Sequence, residues 1–221
     1  MTMRMAAAAL VLVGVLGACG GDDGGGGGPA GLRGTVLGQP FEPSDGAALR
    51  LTEEACLFET ELSDVEANAS ALLVGFGTFG GLCDVARQTQ ACGGKANATT
   101  VSVLVLRANV LGGAAGAVEP GTYPISRETP VPDAQGRLTF ATALVSRTDA
   151  TCADTSGAVE PTGGSITIDR LSERVTGNAS VTFTDGGSVS GPFDVPFCAF
   201  STDVCTGLGA GCGAANEICV P

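Results

Sequence analysis

Nine cysteines and no histidine set the chemistry open to this 221-residue chain. Cys19 stands apart near the N-terminus; the others are Cys56, Cys83, Cys92, Cys152, Cys198, Cys205, Cys212 and Cys219. An even set of thiols in an exported chain reads as a disulfide framework, although eight cysteines allow about 105 pairings. A thiolate metal site is the rival, but no C-x-x-C pair is present and the imidazole that most zinc sites use is missing. The spacing suggests a local Cys83–Cys92 bridge around a short helix and a Cys152–Cys198 bridge between strands. Cys212–Cys219 with Cys205–Cys56, or another combination, would hold the tail.

The lack of histidine removes Ser-His-Asp and Cys-His machinery and the usual general base near neutral pH. Lys95 is the only lysine, and no serine lies three residues before it, so a Ser-x-x-Lys nucleophile is also absent. Catalysis would have to rest on carboxylates, hydroxyls, arginine or Tyr123. Two converging carboxylates, as in a polysaccharide hydrolase, form the alternative reading. No catalytic constellation is recognisable, and no enzyme activity or cofactor is expected.

Two motifs invite a binding reading. Gly75-Phe76-Gly77-Thr78-Phe79-Gly80 matches G-x-G-x-x-G, follows an apolar run and precedes a helical segment. In a dinucleotide-binding fold such glycines let backbone approach a pyrophosphate at a helix N-terminus. The next strand, however, ends in Arg107 without the acidic residue that would hold a ribose, and a glycine-rich turn leaving a strand is the expectation. Glu53, Glu54, Glu59, Glu61, Asp64 and Glu66 form the densest acidic stretch. It lacks a D-x-D-x-D-G loop for a hard cation, and it fits the solvated face of an alternating strand. Asn68, Asn97 and Asn178 open N-x-S/T triplets that are read as incidental.

The ninth cysteine carries the most specific signal. Arg4 precedes an apolar run from Met5 to Ala18, which closes on Leu16-Gly17-Ala18-Cys19. About 14 residues are too few to cross a hydrocarbon core that needs roughly 20, and they suit a cleaved export signal. The segment resembles the signal of bacterial lipoproteins, which implies a mature chain starting at an acylated, palmitate-bearing Cys19. Two or three acyl chains would anchor it permanently, since each buried CH₂ contributes roughly 0.8 kcal/mol. Gly20, where an inner-membrane retention signal would place Asp, points to the outer membrane.

Residues 1–18 are therefore the signal, and residues 19–31 are a lipidated cysteine with a glycine-rich tether that buries too little to order itself. Residues 32–200 form the domain, and 201–221 a cysteine-rich tail. With 23 acidic and 11 basic residues, a net charge of −12 argues for solubility and against nucleic acid as a partner. Expected partners are the bilayer through Cys19 and a glycan, peptide or envelope protein.

The elements that must position all this are strands. Residues 174–184 alternate, with Val175, Gly177, Ala179, Val181 and Phe183 on one face. Asp185-Gly186-Gly187 supplies turn residues, and Val189, Phe193, Val195 and Phe197 resume the pattern. With 165–169 these runs read as a β-meander over a core. Further strands are predicted near 33–38, 47–52, 70–76, 100–107 and 137–147, with Val101 to Leu106 buried on both faces, and one short helix at 82–90. The sum is an all-β, disulfide-stapled antiparallel sandwich or barrel. Phrases such as Gly34-Thr35-Val36-Leu37-Gly38-Gln39-Pro40-Phe41, Gly81-Leu82-Cys83, Gly121-Thr122-Tyr123-Pro124-Ile125 and Gly186 to Asp194 resemble secreted lipoproteins of myxobacterial type. That resemblance implies an all-β domain and carries no site residues.

Overall fold

The computed structural model describes residues 31–59, 64–89, 93–128, 130–200, 202–203 and 218–220; Cys19, Cys92, Cys205 and Cys212 lie outside them, as do the expected signal and nearly all of the expected tether. In chain order the elements are β1 (Arg33–Val36), β2 (Gln39–Phe41), β3 (Asp45–Glu59), β4 (Asp64–Gly77), α1 (Leu82–Thr89), β5 (Gly93–Lys95) and β6 (Thr99–Asn109). They continue with β7 (Gly121–Pro124), β8 (Arg137–Arg147), β9 (Pro161–Leu171), β10 (Arg174–Phe183), β11 (Ser188–Pro196), β12 (Thr202–Asp203) and β13 (Ile218–Val220).

Two sheets stack face to face. One runs β2-β1-β11-β10-β9-β7 and is antiparallel throughout; the other runs β12-β3-β4-β6-β8 and is antiparallel except where β12 joins β3. A two-stranded pair, β13-β5, stands apart from them. The expected meander is β9-β10-β11, and the predicted helix is α1. The architecture is thus a sandwich, although its sheets touch at two corners. A parallel bridge joins Ile125, just past β7, to Ala141 of β8, and another joins Phe197, just past β11, to Ala48 of β3.

The inner faces build the main core. Val175, Ala179, Val181 and Phe183 of β10 meet Leu72, Val74 and Phe76 of β4 and Val101, Val103 and Val105 of β6 in one buried cluster. The other face of the five-stranded sheet is covered as well. Leu82 and Val85 of α1 pack there with Ala69, Ala71, Leu104, Leu106 and Cys198. A sheet buried on both sides explains why Val101 to Leu106 is apolar on both faces except at Ser102.

Gly177 shows how tightly strand pairing is set. The register of β10 against β9 shifts between Thr176 and Gly177, and a Cβ on Gly177 would sit 1.9 Å from the Thr167 carbonyl oxygen. It would also lie 2.8 Å from Phe193 Cζ. Gly177→Ala is expected to destabilise the domain by about 1–3 kcal/mol through overpacking at this bulge, measurable by denaturant titration. A neutral substitution would show that the bulge relaxes freely.

The cysteine pairing differs from expectation. Cys83 of α1 bonds Cys198, 115 residues away, with Cα atoms 5.2 Å apart. This overturns both Cys83–Cys92 and Cys152–Cys198. Sequence proximity favoured the first, but α1 lies on the outer face of the five-stranded sheet beside the segment that leaves β11, so its cysteine meets Cys198. Cys152 is buried and is itself disulfide-bonded. The proposed Cys212–Cys219 and Cys205–Cys56 bridges fall on residues or side chains outside those described.

Candidate functional site

The G-x-G-x-x-G segment folds as a strand exit. Gly75 to Gly77 end β4, which pairs antiparallel with β3 on one side and β6 on the other. A dinucleotide site needs a parallel strand feeding a free helix N-terminus, and here that terminus is taken. Asp45 Oδ2 accepts a hydrogen bond from the Leu82 N–H at 2.8 Å, so a carboxylate of the same chain sits where a phosphate would. Phe76, at the first variable position of the motif, is fully buried. Asp45→Ala is expected to cost about 1 kcal/mol by exposing the orphan N–H groups of α1, read in equilibrium unfolding; no change would mean that water caps the helix equally well.

The acidic stretch lies along the distal parts of β3 and β4, with Glu61 and the side chains of the others outside those described. No cluster of histidine, cysteine, aspartate and glutamate with metal-holding geometry occurs among the described residues. Gly93-Gly94-Lys95 forms the short strand β5 beside β13. Of the N-x-S/T asparagines, Asn97 occupies a turn at φ 53°, and Asn178 is exposed on β10. Asn68 donates to the Gly113 carbonyl at 2.9 Å.

Most described charged groups with assigned partners serve as internal clasps. At one end of the sandwich, Arg147 of β8 reaches the Val36 carbonyl at 3.3 Å and Thr99 Oγ1 at 3.3 Å, tying the two sheets together. At the other end, Asn68, Ser70 and Arg107 continue the inward-facing rows of β4 and β6 beyond the apolar core. They donate to carbonyls of Gly112, Gly113, Gly116 and Ala117, drawing the 110–120 loop over the mouth. Buried Ser70 is satisfied in this way, and with half-buried Asn68 and Arg107 it orients the loop.

Two loop aspartates show the same economy of structure. Asp133 accepts from the Arg137 and Gln135 N–H groups and from the Arg137 guanidinium, and its pKa falls below the ordinary value, chiefly through the Arg137 backbone bond. Asp149 accepts from the Thr151 hydroxyl and N–H, both at 2.7 Å, and from the Ala153 N–H; these bonds, the hydroxyl first, also lower its pKa. A depressed folded-state pKa contributes stability that is present above the unfolded value and lost as pH falls through the folded one. Asp149→Asn is therefore expected to melt below the wild type at neutral pH, with the difference closing in acid. A difference independent of pH would show that the ionised form makes no special contribution.

Sequence reasoning missed the outer face of the six-stranded sheet. Cross-strand register aligns uncharged polar side chains in rows there. Thr35, Ser188 and Thr182 form one; Ser190, Ser180 and Ser165 form a second; Asn178, Thr167 and Thr122 form a third. Thr122 Oγ1 and Thr167 Oγ1 lie 3.0 Å apart, and Thr162 Oγ1 and Thr182 Oγ1 2.9 Å, so hydroxyls bond across strands. Charges gather at its border, where Arg174 Nε pairs with Asp194 Oδ1 at 2.5 Å and Arg33 stands beside Ser190. The signal was legible as the polar half of each alternation, but only strand order turns separate serines and threonines into a surface.

The fold and this surface define an all-β, two-sheet sandwich with one hydroxyl-rich outer face. No family model matches the chain, and neither a curated protein nor a solved structure shows significant similarity to it.

Proposed function

We propose that this protein is a membrane-anchored lipoprotein whose β-sandwich serves the cell envelope as a non-catalytic binding module. The observation that carries the reading is the lipidation signal Leu16-Gly17-Ala18-Cys19 at the end of the apolar run, followed by the glycine-rich tether. Acylation of Cys19 would hold the domain at a bilayer, with Gly20 favouring the outer membrane, and the tether would lift it by roughly 20 Å. The clasps support a module that presents a rigid scaffold: Asp45, Asp133, Asp149 and Asp185 each accept hydrogen bonds from their own chain. The hydroxyl face is the candidate contact surface.

The test is the intact mass of the protein extracted by detergent from membranes and alkylated without reduction. The expected species begins at Cys19, carries acyl mass and takes up no alkylating agent. A chain that retains Met1, or begins elsewhere without acyl groups, would overturn the anchor. Cys19→Ser is expected to move the domain into the soluble fraction.

A further inference from the structure

We infer that the outer face of the six-stranded sheet binds an uncharged polysaccharide, an assignment that rests on reading the protein as an envelope binding module. The face combines features that a merely solvated sheet surface does not require. In a chain of net charge −12, the block centred on Asn178, Ser180 and Thr182 carries no charge; Arg33 beside Ser190, Arg170 beside Thr176 and the ion pair of Arg174 and Asp194 stand at its margin. Lysine and glutamate, the usual means of keeping such a face soluble and unpaired, are replaced by hydroxyls and an amide.

Hydroxyls act as donor and acceptor at once, so they match sugar hydroxyls in either role, whereas a carboxylate can only accept. Burying them against a sugar also avoids the desolvation cost of a charge. The rows repeat with a spacing of about 4.8 Å between strands and about 6.8 Å along them, on the scale of a sugar ring. Ser190, Ser180 and Ser165 lie on three adjacent strands, and Asn178 and Thr167 continue the lattice one row on. A polymer with repeating hydroxyls meets a repeating array, and weak contacts sum through multivalency. The centre of the face offers no cation to pair an anionic sugar, and its basic groups stand only at the margin, which singles out neutral polymers.

Affinity electrophoresis of the full acylated chain in mild detergent tests this, with gels containing dextran, laminarin or anionic alginate. Retardation by a neutral glucan but not by alginate is expected. Ser180→Lys and Asn178→Lys should abolish it at unchanged melting temperature, while Ser180→Thr should retain it and Thr139→Lys, exposed on the other sheet, should leave it intact. Retardation that survives both lysine substitutions would overturn the assignment to this face. Absence of retardation in both neutral gels would overturn the glycan assignment, while an unacylated mass from membranes would instead overturn the parent reading.

Discussion

Replacing Phe76 by alanine is expected to destabilise the domain by about 3–5 kcal/mol, the largest effect of any substitution considered. The ring is fully buried in the core between the sheets and stands edge-on to Phe193 of β11, with centroids 5.8 Å apart and planes at 67°. Truncation removes the transfer free energy of the ring, its aromatic contact across the sheets, and leaves a cavity that backbone on both sides cannot fill. A domain of this size should lose roughly 10 °C or more in Tm. The measurement also separates the two readings of the glycine motif. A phosphate-cradling loop would leave its first variable residue near solvent, and the substitution would then cost under about 1 kcal/mol. Such a small effect would place Phe76 outside the core.

Removal of the Cys83–Cys198 bridge by Cys83→Ala/Cys198→Ala is expected to cost about 2–5 kcal/mol. The bond closes a loop of 115 residues, and the chain-entropy argument gives about 4.7 kcal/mol for a loop of ~100 residues. It also pins α1 to the segment leaving β11. Loosening it exposes the apolar layer of Leu82, Val85, Ala69 and Leu104 beneath. Replacing both cysteines together leaves no unpaired thiol from this bridge to exchange with the remaining ones. Denaturant midpoints under non-reducing conditions give the energy, and peptide mapping of the wild type gives the connectivity. A Cys83–Cys92 peptide, or a double variant as stable as the wild type, would refute this account.

The two predictions act on different layers. Phe76 belongs to the core shared by both sheets, so its loss is felt in global unfolding. Cys83 and Cys198 belong to the cover over the outer face of one sheet, and their loss is expected to release α1 before the sandwich itself opens. Hydrogen exchange would show early loss of protection in 82–89 in the cysteine variant and uniform loss in Phe76→Ala.

What was readable along the chain and what was not divide on physical grounds. Alternation in 174–184 settled which side chains of β10 share the core, because successive residues of a strand point to opposite faces whatever lies beside it. Residues 137–147 form β8 with the predicted bounds, and 82–90 form α1 to within one residue, since propensity and turn residues act locally. β7 went unread because Gly121 to Pro124 has little apolar pattern of its own and is a strand only through pairing with β9. Cys83 could not be assigned to Cys198 from spacing, because bridge choice depends on which distant segments the packed sheets bring within about 6 Å. The hydroxyl face was present as scattered serines and threonines, each explained by its own strand. Register across β11, β10, β9 and β7 makes them a surface, and register is a property of non-local pairing. Composition and local periodicity therefore determined most of the strands, the short helix and the absence of histidine chemistry. Tertiary pairing alone decided the sandwich, the bridge and the face.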